Sequence, residues 1–321
     1  MSSNMRCVAG IDIGGQTAKL GIVDGDGNVL ARSVVKSNIH ESAEDFVAFL
    51  ASDLKRLIAE AGVEGEVCGV GVGAPKGNYY TGEIEGAANI TWCGDDTVPF
   101  AKMLSEALGG LPVALTNDAN AAAQGEMIYG VAKGMKNFIM ITLGTGVGSG
   151  IVIDGKVLYG HDGFAGELGH TCAVREGGRS CNCGKTGCLE AYCSAMGVAR
   201  TARKMLEESS EASLLRSCSE ISSKDVYDAA VKGDEIALRT FKFTAGLLGR
   251  QFADFVAFSS PEAIVLFGGL ARAKEFLYQD TLDAMNENLL PLWRGKIKLL
   301  FSTLNESDAA ILGASALAWD F

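Results

Sequence analysis

Apolar residues recur along the chain in two different periods, and the switching between them predicts the fold class. Residues 7–13 form a largely apolar run that stops at Gly14 and Gly15. A second run, residues 19–23, leads through the turn Asp24-Gly25-Asp26-Gly27-Asn28 to a third from Val29. Short runs joined by Gly and Asn turns predict an antiparallel meander. Over residues 42–61 the period lengthens, and Phe46, Phe49, Leu50, Leu54, Leu57 and Ile58 fall on one stripe of a helix. Residues 67–74 read as a buried strand, 99–108 as a short helix and 113–116 as another strand. Alternating strands and helices predict an α/β fold.

The meander then returns. Residues 138–158 repeat the order strand, Gly loop, strand, Asp-Gly turn, strand found in residues 8–30. Ile11-Asp12-Ile13-Gly14 aligns with Ile141-Thr142-Leu143-Gly144, about 130 residues later, so the chain reads as two copies of one domain with a cleft between them. The expected boundary follows Asp118: residues 1–118 form the first domain, 119–302 the second, and the last helix, within 303–321, returns to the first. Between the second meander and its helices lies an irregular stretch, residues 161–190, rich in Gly and Cys. Helices are expected at 196–208, 223–231, 235–258 and 279–290, strands at 263–267 and 297–301, and the last helix at 309–319.

Composition narrows the picture. The 321 residues carry a net charge of −11 and no run of Lys and Arg, which argues against a nucleic-acid partner. No apolar stretch approaches the ~20 residues that span a bilayer, and residues 1–6 do not read as a signal peptide. Nine cysteines without an export signal indicate cytosolic thiols, some of them metal ligands, and a cytoplasmic protein. There are 41 glycines, about 13% against a usual ~7%, without a collagen period. Such an excess is expected in turns and in loops where a ligand approaches the backbone.

Three groups of residues carry candidate chemistry. The two Gly-rich hairpins, at Gly14-Gly15 and at Gly144, Gly146, Gly148 and Gly150, suit a phosphate cradled by backbone N–H groups. Neither is a P-loop or a dinucleotide fingerprint, since a strand rather than a helix follows. Asp12, at the end of the first strand, either orients Mg²⁺ through water or caps the turn. Asn117 and Asp118 join a strand to a helix, where both are good capping residues. Pointing into a cleft, Asp118 is equally placed to take a proton from a substrate hydroxyl.

The third group is His170, Cys181, Cys183 and Cys188, a closed set of three thiolates and one imidazole that suits structural Zn²⁺. The loop that holds them has few apolar residues, so a metal would supply its order. Glu167 and Glu190 belong to the same loop and suit the hydroxyls of a sugar. The Gly268-Gly269 turn and the small-residue face beginning at Gly313 each suit a flat adenine ring.

Taken together these segments resemble the ROK family of sugar kinases, within the hexokinase, actin and Hsp70 superfamily. The resemblance covers nearly the whole chain and is specific at four places: Asp12 to Thr17, Asn117 to Ala121, Leu143 to Gly150, and Glu167 to Glu190 with its zinc signature. It implies two actin-like, ribonuclease H-like domains around a central cleft and ATP-dependent phosphorylation of a hexose 6-hydroxyl, with glucose favoured. N-acetylmannosamine, N-acetylglucosamine, mannose, fructose and allose are the alternatives, together with a catalytically silent sugar-binding protein. The resemblance implies that Asp118 is the catalytic base and that Asn89, Asn117, Asp118, Glu167, His170 and Glu190 contact the sugar. Asp12, Gly14, Gly15, Gln16, Thr17, Gly144, Thr145, Gly146, Gly268, Gly269 and Gly313 would serve ATP and Mg²⁺. His170, Cys181, Cys183 and Cys188 would bind zinc. A homodimer or homotetramer is expected.

Two departures stand out. Gln16 occupies a position where the family usually has Thr, and Ala88 replaces the Pro before Asn89. The family also contains sugar-responsive repressors, but their N-terminal helix-turn-helix has no counterpart before the first strand, and the acidic charge speaks against operator binding.

Overall fold

The computed structural model describes residues 6–87 and 89–321, with the backbone alone at Glu306 and Ser307. Ala88 therefore lies outside the described residues. The chain divides into two compact units. The first comprises residues up to Gly134, Val157–Gly166 and Thr303–Phe321; the second comprises Met135–Lys156 and Glu167–Ser302.

The first unit opens with β1 (Cys7–Ile13), β2 (Thr17–Asp24) and β3 (Val29–Lys36), followed by α1 (Ala43–Ala61) and β4 (Val67–Gly73). The short β5 (Ile84–Glu85) and β6 (Thr97–Val98) precede α2 (Phe100–Ala107), β7 (Val113–Thr116) and α3 (Asp118–Ile128). Its sheet has the order β3-β2-β1-β4-β7. The first three strands are antiparallel neighbours, whereas β1, β4 and β7 run parallel. Burial tracks position in the sheet. β1 is buried almost throughout, while the edge strand β3 alternates between half-buried and exposed.

The helix α1 starts where Ser42 accepts a hydrogen bond from the Asp45 N–H, and it ends at Gly62 in a left-handed conformation. It buries Phe46, Leu50, Leu54 and Leu57 against the sheet. Phe49 departs from the expected stripe: it is exposed and packs in a tilted arrangement on His40, ring centres 5.1 Å apart. It sits at the margin of the stripe, where helical period alone does not decide burial.

The second unit repeats the plan. β8 (Phe138–Leu143), β9 (Val147–Ile153) and β10 (Lys156–Val157) lead through an irregular stretch to α4 (Glu190–Cys193), α5 (Ala195–Glu207), α6 (Ser223–Val231) and α7 (Glu235–Ser259). β11 (Ala263–Phe267), α8 (Lys274–Asn288) and β12 (Lys298–Phe301) complete it. The sheet order β10-β9-β8-β11-β12 copies the first sheet strand for strand, with β8 and β9 antiparallel and β8, β11 and β12 parallel. The sequence repeat is therefore a repeat of fold. Helix α8 begins five residues before the expected 279, at a start where no side chain caps it and which carries no capping signal.

The last helix, α9 (Glu306–Ser315), lies against β1 and β4 of the first unit. A Cβ on Gly10 would fall 2.1 Å from the Ile311 carbonyl oxygen, and one on Gly71 would fall 1.8 Å from that of Ala314. Part of the glycine excess thus serves to seat a helix backbone directly on a strand, not to admit a ligand.

The domain limits expected from sequence need correction. Helix α3 belongs with the first unit, because Gly125 and Gly313 let it cross α9 with almost no separation; a Cβ on Gly125 would lie 2.7 Å from the Gly313 Cα. Val157–Gly166 also belongs there. Tyr159 stacks face to face on Tyr79 at 4.0 Å, the buried Asn78 donates to the Asp162 carbonyl at 2.8 Å, and the Tyr80 hydroxyl donates to Gly160. Among the described residues no helix is long and apolar enough to cross a membrane.

Candidate active site and metal centre

In the first unit the candidate residues collect at the carboxyl ends of the parallel strands, where open α/β sheets usually bind their ligands. Asp12 ends β1, paired with Lys19 on β2 and Gly73 on β4. Thr116 ends β7 beside Gly73, and α3 begins two residues later. A Cβ on Gly73 would lie 3.7 Å from Asp12 Oδ1 and 3.6 Å from the Asp118 Cα. Gly73 thus lies beside both carboxylate-bearing residues.

Asn117 caps α3, its Oδ1 accepting from the Ala119 N–H at 2.9 Å, so its NH2 is the part left to meet a ligand. Asp118 Oδ1 accepts from the same N–H at 2.8 Å, which leaves Oδ2 as the proton acceptor. Crowding by protein raises the Asp118 carboxyl above its usual value, against the pull of that N–H. Asp118 itself remains exposed to solvent. Asp12 is pushed up to about 6, first by desolvation and then by Asp118, with Lys19 opposing. Two carboxylates that disfavour each other's charge are a setting a cation relieves.

The first Gly loop closes with the Gly14 N–H donating to Thr17 at 2.9 Å. Ser37, buried at 1% exposure, braces it from β3's end: its N–H donates to Gln16 and its hydroxyl to Gly14 at 2.7 Å. A Cβ on Gly15 would strike the Asn89 carbonyl at 2.4 Å, so this loop and Asn89 are neighbours. The side chains of Gln16, Thr17 and Asn89 are exposed. Gly313 does not join this group. It is buried between α3 and α9, where it serves helix packing, which corrects its expected place at the nucleotide.

In the second unit the matching loop, Gly144 to Gly146, closes with the Gly144 N–H donating to the Gly146 carbonyl at 3.0 Å. Thr145 is exposed at its tip. The Ala195 N–H at the start of α5 donates to the Gly144 carbonyl at 2.8 Å, and Ser194 caps that helix. A cavity of about 50 Å³ opens there, with Thr145, Glu190, Ser194 and Arg200 in its walls. Gly268, with φ of 102°, follows β11 so closely to β8 that a Cβ would lie 2.6 Å from the Leu143 carbonyl. Gly269 has open space on its side-chain face.

Glu190 binds the loop as much as any ligand. Its Oε2 accepts from the Val147 N–H at 2.9 Å, and its Oε1 accepts from the Cys181 thiol at 3.6 Å. Glu167 precedes and His170 ends a single 3₁₀ turn, Leu168–His170, which is pinned to β9 where the Leu168 N–H donates to Ser149 Oγ at 3.1 Å. His170 Nε2 lies 3.9 Å from Glu167 Oε2, while its Nδ1 lies 3.8 Å from Cys181 Sγ.

His170, Cys181, Cys183 and Cys188 come together as expected, with one ligand atom from each inside 4.8 Å of the others. Cys183 Sγ and Cys188 Sγ are 3.6 Å apart. Two thiolates bound tetrahedrally at about 2.3 Å from one Zn²⁺ would sit roughly 3.8 Å apart, so the donor set and its spacing fit zinc. Burial, and after it the hydrogen bonds and charges of Cys183 and Cys181, push the Cys188 thiol up to about 12. A bound cation reverses that preference. Sequence reasoning missed Ser37, Gly73 and Lys19. The first two carry no chemistry a motif would flag, and Lys19 is tied to Asp12 only through strand register.

The ROK family profile matches residues 8–320. A glucokinase of Halalkalibacterium halodurans is 36% identical over 317 residues, covering 97% of this chain and 94% of that protein. Among solved structures, a ROK hexokinase from Thermus thermophilus superposes with a TM-score of 0.82 at 32% identity, covering 98% of each chain. A ROK family glucokinase from Streptomyces griseus, in complex with glucose and AMPPNP, superposes with a TM-score of 0.78 at 32% identity, covering 98% of this chain and 100% of that one.

Proposed function

The chain belongs to the ROK family, and from that premise we propose that it is a glucokinase, transferring the γ-phosphoryl group of ATP to the 6-hydroxyl of glucose. The observation that carries this reading is Asp118, placed in the first turn of α3 beside Asp12 with one carboxylate oxygen uncommitted to the helix. The names of its relatives and the glucose and AMPPNP bound in the Streptomyces griseus structure support glucose and ATP as the pair.

In this reading Asp118 Oδ2 accepts the proton of the 6-hydroxyl as that oxygen attacks the γ-phosphorus and ADP leaves. The raised carboxyl of Asp118 suits it, since a base works best with a pKa nearer the operating pH. Backbone N–H groups of Gly14, Gly15, Gly144 and Gly146 meet the phosphates, and Gly268 and Gly269 leave room for the nucleoside. The NH2 of Asn117 and the side chains of Asn89, Glu167, His170 and Glu190 hold the sugar hydroxyls. Asp12 fits Mg²⁺, a hard cation that takes carboxylate and water oxygens and neutralises charge on the transferred group. His170 Nδ1 and the three thiolates would hold zinc, which would leave Nε2 on the Glu167 side for the sugar.

A hexose panel assayed with Mg-ATP by coupled ADP release tests the proposal. Turnover with glucose at least about tenfold above any other hexose is expected, since a lost or misplaced hydroxyl contact costs that much or more. Preference for N-acetylmannosamine would move the reading to another kinase, and no ADP with any hexose would leave a silent sugar-binding protein. Light scattering is expected to report a dimer or tetramer.

A further inference from the structure

One cysteine beside the metal set has no part in it. Cys172 is exposed and stands directly across a β-bridge from the buried Cys188. The flanking hydrogen bonds run from the Leu189 N–H to Thr171 and from the Ala173 N–H to Gly187. Cys172 and Cys188 are therefore the non-hydrogen-bonded members of the ladder, whose Cα atoms lie about 4.5 Å apart with side chains on one face. A disulfide accepts Cα separations of about 4.4–6.8 Å. A Cβ on Gly187 would stand 3.3 Å from the Cys172 sulfur, so glycine at that position spares the thiol a tight contact.

The geometry points to Cys172 and Cys188 as a peroxide-driven disulfide site that competes with the metal for Cys188. The exposed Cys172 thiol reacts first. Its sulfur attacks hydrogen peroxide, the O–O bond breaks, and Cys172 sulfenic acid and water form. The Cys188 sulfur then attacks the Cys172 sulfur, forming the S–S bond and releasing the oxygen as a second water. Two thiols lose two electrons and one peroxide gains them. When Cys188 is a metal-bound thiolate, the same step removes one of the four ligands and releases hydroxide. Its effect on activity rests on the zinc reading above: losing Cys188 frees the loop that positions His170 and Glu190, and a thiol reductant with added zinc restores it.

Trypsin places the partners on separate peptides, residues 157–175 and 186–200, with Cys181 and Cys183 on a third, residues 180–185. Zinc is measured in the full-length protein before oxidation, and hydrogen peroxide is then added. The expected result is a 157–175 to 186–200 cross-link that fragmentation maps to Cys172 and Cys188, with zinc release in step. Glucose turnover is lost about tenfold or more and recovers with dithiothreitol and zinc, while Cys172→Ser loses less than about twofold over the same time. Cross-links confined to Cys181, Cys183 and Cys188 at equal rates in wild type and Cys172→Ser would overturn the proposal. So would Cys172 ending as sulfinic acid with no cross-link. Protein that holds no zinc yet forms the link sinks the metal reading and leaves the pair standing; protein that holds zinc and never forms it does the reverse.

Discussion

Asp12 and Asp118 sit close enough to disturb each other, and their consequences can be separated. Replacing Asp118 by Asn removes the proton acceptor but keeps the shape and the helix start, since Asn also caps. Turnover is expected to fall about a hundred- to ten-thousandfold, with the KM for glucose changed little. Unchanged turnover in a coupled assay would end the base assignment. Asp12→Asn tests the electrostatics. The Asp12 carboxyl lies at about 6 in the fold and at its ordinary 3.8 when unfolded. Between those pH values the native state holds more protons than the unfolded one, so stability falls as pH rises through that window. Above pH 6 the full penalty persists. The Asn variant is expected to be about 3 kcal/mol more stable at pH 7 without ligand, and no different near pH 3.5, in urea unfolding. Its activity with Mg-ATP should nonetheless collapse. A variant less stable at neutral pH would show that Asp12 is not held at a cost. At this scale much was legible from sequence, because Asp12, Asn117 and Asp118 fall where strands stop. Gly73 and Ser37 were not, since their roles depend on residues distant in the chain: Asp12 and Asp118 for Gly73, and Gly14, 23 residues away, for Ser37.

Two glycines of the second Gly hairpin look alike in sequence, yet they serve different ends. Gly144 has nothing within 4 Å of a would-be Cβ, whereas one on Gly146 would lie 2.5 Å from Glu190 Oε2. Gly144→Ala is therefore expected to leave stability within about 0.5 kcal/mol and raise the KM for ATP. Gly146→Ala must displace Glu190 from the Val147 N–H. It is expected to cost about 1–2 kcal/mol and to raise the KM for both substrates. Equal effects from the two, by thermal unfolding and initial rates, would refute the distinction. Element by element the sequence pattern was a good guide: β7, β11 and α6 begin and end where the periodicity places them. It failed where contact rather than period decides. Gly313 looked like part of a nucleotide face because small residues surround it, yet it exists to let α3 cross α9. Gly10 and Gly71 read as ordinary strand residues, yet they are where α9 rests on the sheet.

At the scale of the molecule, the duplication gives two five-stranded sheets of the same order, each with a large hydrophobic core among the described residues, and a smaller cluster forms where α9 meets β1 and β2. One core is built from residues between Cys7 and Leu115, the other from residues between Ile139 and Leu299. The four candidate zinc ligands lie wholly within the second unit, so the energetic reach of a metal there should be local. Chelation leaves three thiols and an imidazole in a loop with few apolar residues, while β1, β4 and β7 keep every contact of their own core. Calorimetry of the zinc-depleted protein is therefore expected to lower one transition by several degrees, about 2–4 °C per kcal/mol for a unit of this size, and to leave the other in place. Hydrogen exchange should locate the change: amides of Cys172 to Leu189 lose protection, and those of residues 7–13 and 67–73 do not. A uniform downward shift of all transitions would mean that the two cores melt as one. No shift at all, in protein shown to have carried zinc, would mean that the loop holds its shape through its own hydrogen bonds, such as the Gly187 N–H to Arg179 and the Cys181 N–H to Lys185. The first outcome would join the units energetically; the second would leave the four ligands as a site without a structural task. Only a local loss makes zinc the staple that the composition of the loop calls for.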